Sequence, residues 1–261
     1  MHKALGWLLA SSLALGVLGL SQRAEAQIVN VQPLLKSPEP GFRGALGGSL
    51  TWKTGNVDLL LTKGTVFVRY LRGAHLLLSS SRGELGLKSG DDFLERLFSH
   101  LRWQWRFVDA VTWETYGQVA SDRFKRLRLR ALAGTGPRFQ LLDGEAGSLA
   151  VAVSYMFEHE QLGASDAADS ERVEDNHRLS MYLTGEVKLD DRLSVLHTTY
   201  VQPRLDAPLD DVRVLSETTL RVKLTERLGL GVGVVFAYDS APPMDVKLLD
   251  TATDVSLSLE L

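Results

Sequence analysis

The chain has 261 residues, 44% of them hydrophobic, with 29 lysines and arginines against 32 acids, a formal charge of −3, and no cysteine. The missing thiols exclude a disulfide framework, an iron–sulfur site and a thiolate zinc site, so stability must come from hydrogen-bonded ladders and packing. No basic cluster of the kind that marks a nucleic-acid module is present, so no nucleic-acid partner is expected.

Residues 1–26 read as a secretory signal. His2 and Lys3 give a basic start, Ala4 to Leu20 is nearly all apolar, and Ala24-Glu25-Ala26 is a small-x-small cleavage site, so the mature chain is expected to begin at Gln27. Residues 27–40 carry three prolines and read as an extended periplasmic leader. Beyond residue 26 no run of 18 apolar residues occurs, so any crossing of a membrane would have to use strands.

From Gly41 to the end the chain alternates at period two, the signature of strands with one oily and one polar face. Leu46, Leu50 and Trp52 oppose Ser49, Thr51 and Lys53, and Gly55-Asn56 supplies turn chemistry. Residues 57–70 and 75–88 read as strands whose facing the sequence leaves open. The clearest stretch follows: Leu97, Ser99, Leu101, Trp103, Trp105 and Phe107 oppose Phe98, His100, Arg102, Gln104 and Arg106. After the break Val108-Asp109-Ala110, Val111, Trp113, Thr115 and Val119 oppose Thr112, Glu114, Tyr116 and Gln118, which makes a long hairpin.

Residues 124–138 place Arg126, Arg128 and Arg130 against Leu127, Leu129 and Ala131, and then bring Gly134-Thr135-Gly136. Further on, Leu149, Val151, Val153, Tyr155 and Phe157 oppose Ala150, Ala152, Ser154, Met156 and Glu158. Leu179, Met181, Leu183, Val187 and Leu189 oppose Arg178, Ser180, Tyr182, Thr184, Glu186 and Lys188. Residues 192–202 follow, and then Val212, Val214, Leu220, Val222 and Leu224 oppose Arg213, Glu217, Thr219, Arg221 and Lys223. Strands at 228–239 and 248–261 bring the total to about twelve, an even number as bacterial outer-membrane barrels require.

Most of these segments reach the roughly 9–11 residues that a tilted membrane-spanning strand needs, where a sandwich strand has about 5–6. Connection lengths agree with an N-terminus in the periplasm. The expected outer connections 89–93, 121–125, 162–175, 203–211 and 240–247 are long, and the inner ones 108–110, 190–191 and 226–227 are short. Two fit poorly, the short Gly55-Asn56 on the outer side and the long 141–148 on the inner side. The fold expected is a single all-β, antiparallel transmembrane β-barrel over residues 41–261.

Three stretches carry a family resemblance: Gly48-Ser49-Leu50-Thr51-Trp52-Lys53-Thr54-Gly55-Asn56-Val57; Gln118-Val119-Ala120-Ser121-Asp122-Arg123-Phe124 with Arg130 and Gly134-Thr135-Gly136; and Tyr238-Asp239-Ser240-Ala241-Pro242-Pro243 with Lys247 and Asp250. In these the sequence resembles the salt-induced outer membrane proteins, a bacterial family of unknown function. The resemblance implies an outer-membrane barrel of undefined activity, with outer-membrane lipid, lipopolysaccharide and the barrel-assembly machinery as partners, and it supplies no catalytic residue. Val255, Leu257, Leu259 and Leu261 keep the alternation, although barrels usually finish on an aromatic residue that the assembly machinery recognises.

On this facing, the basic lumen residues are Lys53, Arg102, Arg106, Arg126, Arg128, Arg130, Arg178, Lys188, Arg213, Arg221 and Lys223, and the acidic ones are Glu114, Glu158, Glu186, Glu217 and Glu260. Eleven cations against five acids would concentrate small anionic solutes in a narrow channel or binding lumen. The competing expectation is a structural, stress-related envelope barrel closed by Arg–Glu pairs across the strands.

A lipid hydrolase is the weakest of the three readings. His177 and Ser180 lie on opposite faces of one strand, His197 faces outward beside Thr199, and no G-x-S-x-G elbow occurs. No cofactor and no metal site is expected, since His100 and His159 lack a second ligand at metal spacing. The acids Asp166, Asp169, Glu171, Glu174 and Asp175, with Asp206, Asp210 and Asp211, would bridge lipopolysaccharide phosphates through divalent cations if they stand free.

Overall fold

A computed structural model describes residues 40–54, 58–89, 91–225 and 228–259. The expected signal sequence, the leader up to residue 39 and Glu260 lie outside the described residues. Twelve strands follow one another: β1 Gly41–Lys53, β2 Leu59–Arg72, β3 His75–Lys88, β4 Asp91–Val108, β5 Val111–Asp122, β6 Leu127–Gly144, β7 Gly147–Leu162, β8 Val173–Lys188, β9 Leu193–Pro203, β10 Val212–Lys223, β11 Leu228–Asp239 and β12 Leu249–Leu259. Among the described residues a 3₁₀ turn, Arg123–Lys125, is the sole helical element, so no helix there is long and apolar enough to cross a membrane.

Each strand pairs antiparallel with the next in a single sheet, β1 through β12. Twelve residues at about 3.3 Å each and a tilt of about 40° rise roughly 30 Å, the thickness of a bilayer's hydrocarbon. Among the described residues β1 does not pair with β12, and the two form the edges of the sheet. The sheet rolls far enough that Tyr182 in β8 donates to Glu114 in β5, and Lys125 in the 3₁₀ turn reaches Asp250 in β12 (2.8 Å).

Directly paired residues share a face, so the register sorts every strand. One row on the concave face runs Arg102, Tyr116, Gly134, Met156, Arg178. The neighbouring row on the convex face runs Leu101, Gly117, Ala133, Phe157, His177. The convex face carries the exposed apolar side chains, among them Leu97, Leu101, Trp103, Trp105, Phe107, Trp113, Tyr155 and Phe236. Buried apolar residues gather inside the roll: Tyr182, Tyr200, Leu215 and Val235 on one wall, Tyr116, Leu132 and Met156 on the other.

β2 and β3, which the sequence leaves unassigned, turn Lys63, Arg69, Leu78 and Glu84 to the concave face. On β11 the concave positions opposite Lys223, Arg221 and Thr219 are all glycine: Gly229, Gly231 and Gly233.

Connections sort by end. Residues 73–74, 109–110, 145–146 and 189–192 join strands at one end, and 123–126, of four residues, lies at the other with the longer 163–172, 204–211 and 240–248. The expected long inner connection 141–148 is a correction: β6 runs to Gly144 and β7 starts at Gly147, with a register shift between Gln140 and Leu142 taking up the extra residue. The expected outer connection 89–93 is likewise shorter, because β4 already begins at Asp91.

Candidate functional site

The densest polar assembly sits inside the roll, on the half nearer the long connections. Glu158 in β7 accepts from Arg130 in β6, from Arg178 Nε in β8 (3.1 Å) and from Arg213 Nη1 in β10, which reaches both carboxylate oxygens (2.7 and 2.8 Å). Arg213 also donates Nη2 to Glu160 (3.0 Å) and Nε to Asp239 (3.1 Å). Arg178 Nη1 spans Asp211 (2.8 Å) and the Gln202 carbonyl (3.1 Å). Three guanidiniums therefore share four carboxylates, all of them buried. The rigid fork of arginine suits this bidentate pairing, and each charge out of water needs such a partner.

Toward the turns a second cluster follows. Arg102 Nη1 donates to Glu114 (3.1 Å), Tyr182 OH donates to the same carboxylate (2.9 Å), and the Arg102 guanidinium lies over the Tyr116 ring, 5.1 Å from its centroid. Tyr116 OH and Ser154 Oγ are 2.9 Å apart, and Gln202 donates to Ser180 Oγ (3.0 Å). His100, Arg102, Tyr116, Gln118, Tyr182 and Gln202 surround a cavity of about 20 Å³, room for one water.

Of the lumen residues expected from sequence, Arg102, Arg130, Arg178, Arg213, Glu114, Glu158 and Glu217 are buried on the concave face. Glu186 is half-buried, with Arg221 Nη1 3.8 Å away. Lys53, Arg106, Lys188, Arg221 and Lys223 sit near strand ends on the same face and are exposed.

Arg126 and Arg128 are corrections. Arg126 precedes β6 as the cap of the 3₁₀ turn with φ 55°, and a register shift between Leu127 and Leu129 moves Arg128 out of the alternation, so that Leu127 is buried and Arg128 exposed. The basic excess also disappears from the buried set. Among the described residues the buried cations are Lys63, Arg69, Arg102, Arg130, Arg178 and Arg213, six against eight buried acids, which include Asp122, Glu160, Asp211 and Asp239. Asp122 and Asp239 end β5 and β11 and Asp211 precedes β10, where the alternating runs stop, whereas Glu160 continues the Glu158 face of β7 and is inward by the same alternation.

At the long-connection end, Asp169 ties three connections together. It accepts from Arg126 Nη1 (2.7 Å) and from the Met244 backbone N–H (2.8 Å), while Arg126 also donates to the Met244 carbonyl (2.8 Å). The Met244 N–H and the Arg126 guanidinium hold the Asp169 carboxyl below its ordinary range. Other acids of these connections are engaged as well: Asp206 and Asp211 by Arg204, Glu174 by Arg172, and Asp175 by His159. Among the described residues no group of three or more His, Asp or Glu is placed to hold a metal ion. His197 and His177 face outward, His197 bonded to Thr218 and Thr199 and His177 to Tyr155.

A family sequence profile described as "Protein of unknown function, DUF481" matches residues 46–260. No curated protein matches the chain. Among solved structures, the NanC porin is similar with a TM-score of 0.48 and 7% identity, over 84% of this chain and 99% of the porin chain. A bacterial polysaccharide outer membrane secretin is similar with a TM-score of 0.46 and 8% identity, over 83% of each chain.

Proposed function

The chain belongs to the family of unknown function DUF481, and from its interior we propose that it is a barrel of the bacterial outer membrane with a sealed centre, a structural envelope protein and not an open pore. The observation that carries this reading is Glu158, fully buried beneath Arg130, Arg178 and Arg213. A permeation path needs charges that face water. These face one another, and their neighbours Glu160, Asp211 and Asp239 complete the neutralisation.

The membrane reading draws on strand length, on the exposed apolar convex face and on the separation of long from short connections. On this reading β1 and β12 close the wall, the convex face meets lipid and lipopolysaccharide, and the barrel-assembly machinery inserts the chain. A role in the response to salt fits an envelope protein of this kind.

A second reading, a narrow path that favours small anions, draws on the exposed Arg106, Lys188, Arg221 and Lys223 near the turn end of the concave face. Single-channel recording on protein inserted in planar bilayers separates the two. The sealed barrel gives no steps above background at neutral pH, while stable anion-selective steps from the wild-type protein overturn it in favour of the pore.

A further inference from the structure

The convex face is not evenly covered. Across β4 to β7 the small residues Ser99, Gly117, Ala131 and Ala133 form the floor of a groove of about 390 Å³, with Leu101 and Phe157 standing at its sides. The register makes this continuous: Gly117 pairs with both Leu101 and Ala133, and Ala131 pairs with both Val119 and His159. The groove lies nearer the long connections, since Phe157 is five residues from the end of β7 and Ala131 four from the start of β6.

A hollow at this depth of a membrane-embedded face cannot hold water, and left empty it would strip dispersion contacts from its lining. A lipid chain fills it. At about 30 Å³ per group, a water's share of the liquid, the volume takes roughly a dozen methylenes. The charge beside it indicates which lipid. Arg128 lies in the β6 bulge three residues closer to the rim than Ala131, exposed and without an ion-pair partner among the described residues. Asp175, paired with His159 on the convex face, is engaged by the His159 ring (2.7 Å).

We propose that this groove binds one acyl chain of an anionic lipid, with Arg128 paired to the lipid phosphate. The site rests on the membrane reading above, and its test separates the two. Full-length protein carrying the reporter Leu97→Trp, at an exposed convex position on β4 beside the groove, is inserted into vesicles doped with brominated-chain phosphatidylglycerol or brominated-chain phosphatidylcholine.

The anionic lipid should quench the reporter at about three-fold lower mole fraction, the ratio that one exposed ion pair gives. Arg128→Gln should equalise the two lipids, and Ala131→Leu with Ala133→Leu, which fills the floor, should remove the preference while insertion persists. Equal quenching by both lipids in the reporter, or a preference that survives the filled floor, overturns the site. If the native Trp103, Trp105 and Trp113 are quenched by neither lipid, the membrane reading falls and the site with it.

Discussion

Tyr116 lies across Gly134: a Cβ on that glycine would fall 2.4 Å from the phenol ring and its hydroxyl. The ring crosses β6 at this gap to bring its hydroxyl to Ser154 on β7. Gly134→Ala should therefore destabilise the folded state by about 1–3 kcal/mol, the range for overpacking. Denaturant titration reads this, and in the double variant with Tyr116→Ala the added cost of Gly134→Ala should vanish.

Glu158→Gln leaves Arg130, Arg178 and Arg213 around a neutral side chain. Breaking a buried ion-pair network from one side costs about 3–5 kcal/mol. The loss should appear in the same titration. A variant as stable as the wild type would mean that water already reaches these arginines.

Val153 stands near the middle of β7 on the convex face, 36% exposed. Val153→Arg should cost about 2–4 kcal/mol when folding is measured into bilayers, as charges at mid-depth do. A cost near zero would place this face in water. At Ser154, one residue on, the side chain turns inward and bonds to the Ser180 carbonyl.

Asp169 makes the junction of the long connections sensitive to acid. Its folded pKa is depressed from the ordinary 3.8, so its contribution is complete above that value and is lost as pH falls through the folded pKa. Hydrogen-exchange protection in 163–172, taken relative to the intrinsic rate at each pH, should hold from neutral pH down to about 5 and decline as the pH falls further. Asp169→Ala should exchange fast at every pH, with the remainder of the sheet protected.

How far the fold is legible in the sequence differs from strand to strand. β4, β5, β7 and β8 alternate cleanly because one side of each carries apolar residues and the other carries the charged network, and their facing in the structure is the one the alternation predicts. β2 and β3 resist the same reading because the concave face is itself apolar at the turn end. There Leu76 and Leu78 are buried inside while Leu77 between them is exposed outside, so both faces read as oily.

Bulges account for the misplaced arginines. A shift of one residue exchanges the faces, so Arg126, Arg128 and Arg130 look equivalent in sequence and occupy a cap, an exposed bulge and the buried network. Glu158 can be assigned inward from sequence, but its convergence of three arginines from β6, β8 and β10 cannot, because that depends on how tightly the sheet rolls.

The unequal ends of the roll make insertion a directional event. Pulling 163–172 through hydrocarbon would drag Asp166, Asp169, Glu171 and Arg172 with it, whereas 73–74 and 145–146 are turns of two residues. Each ionised group carried to mid-bilayer is penalised by several kcal/mol. On the outer-membrane reading, with entry from the periplasm and the long connections outside, it is the polar crown that has to be carried across, so the bilayer alone opposes this orientation and the assembly machinery must supply the passage.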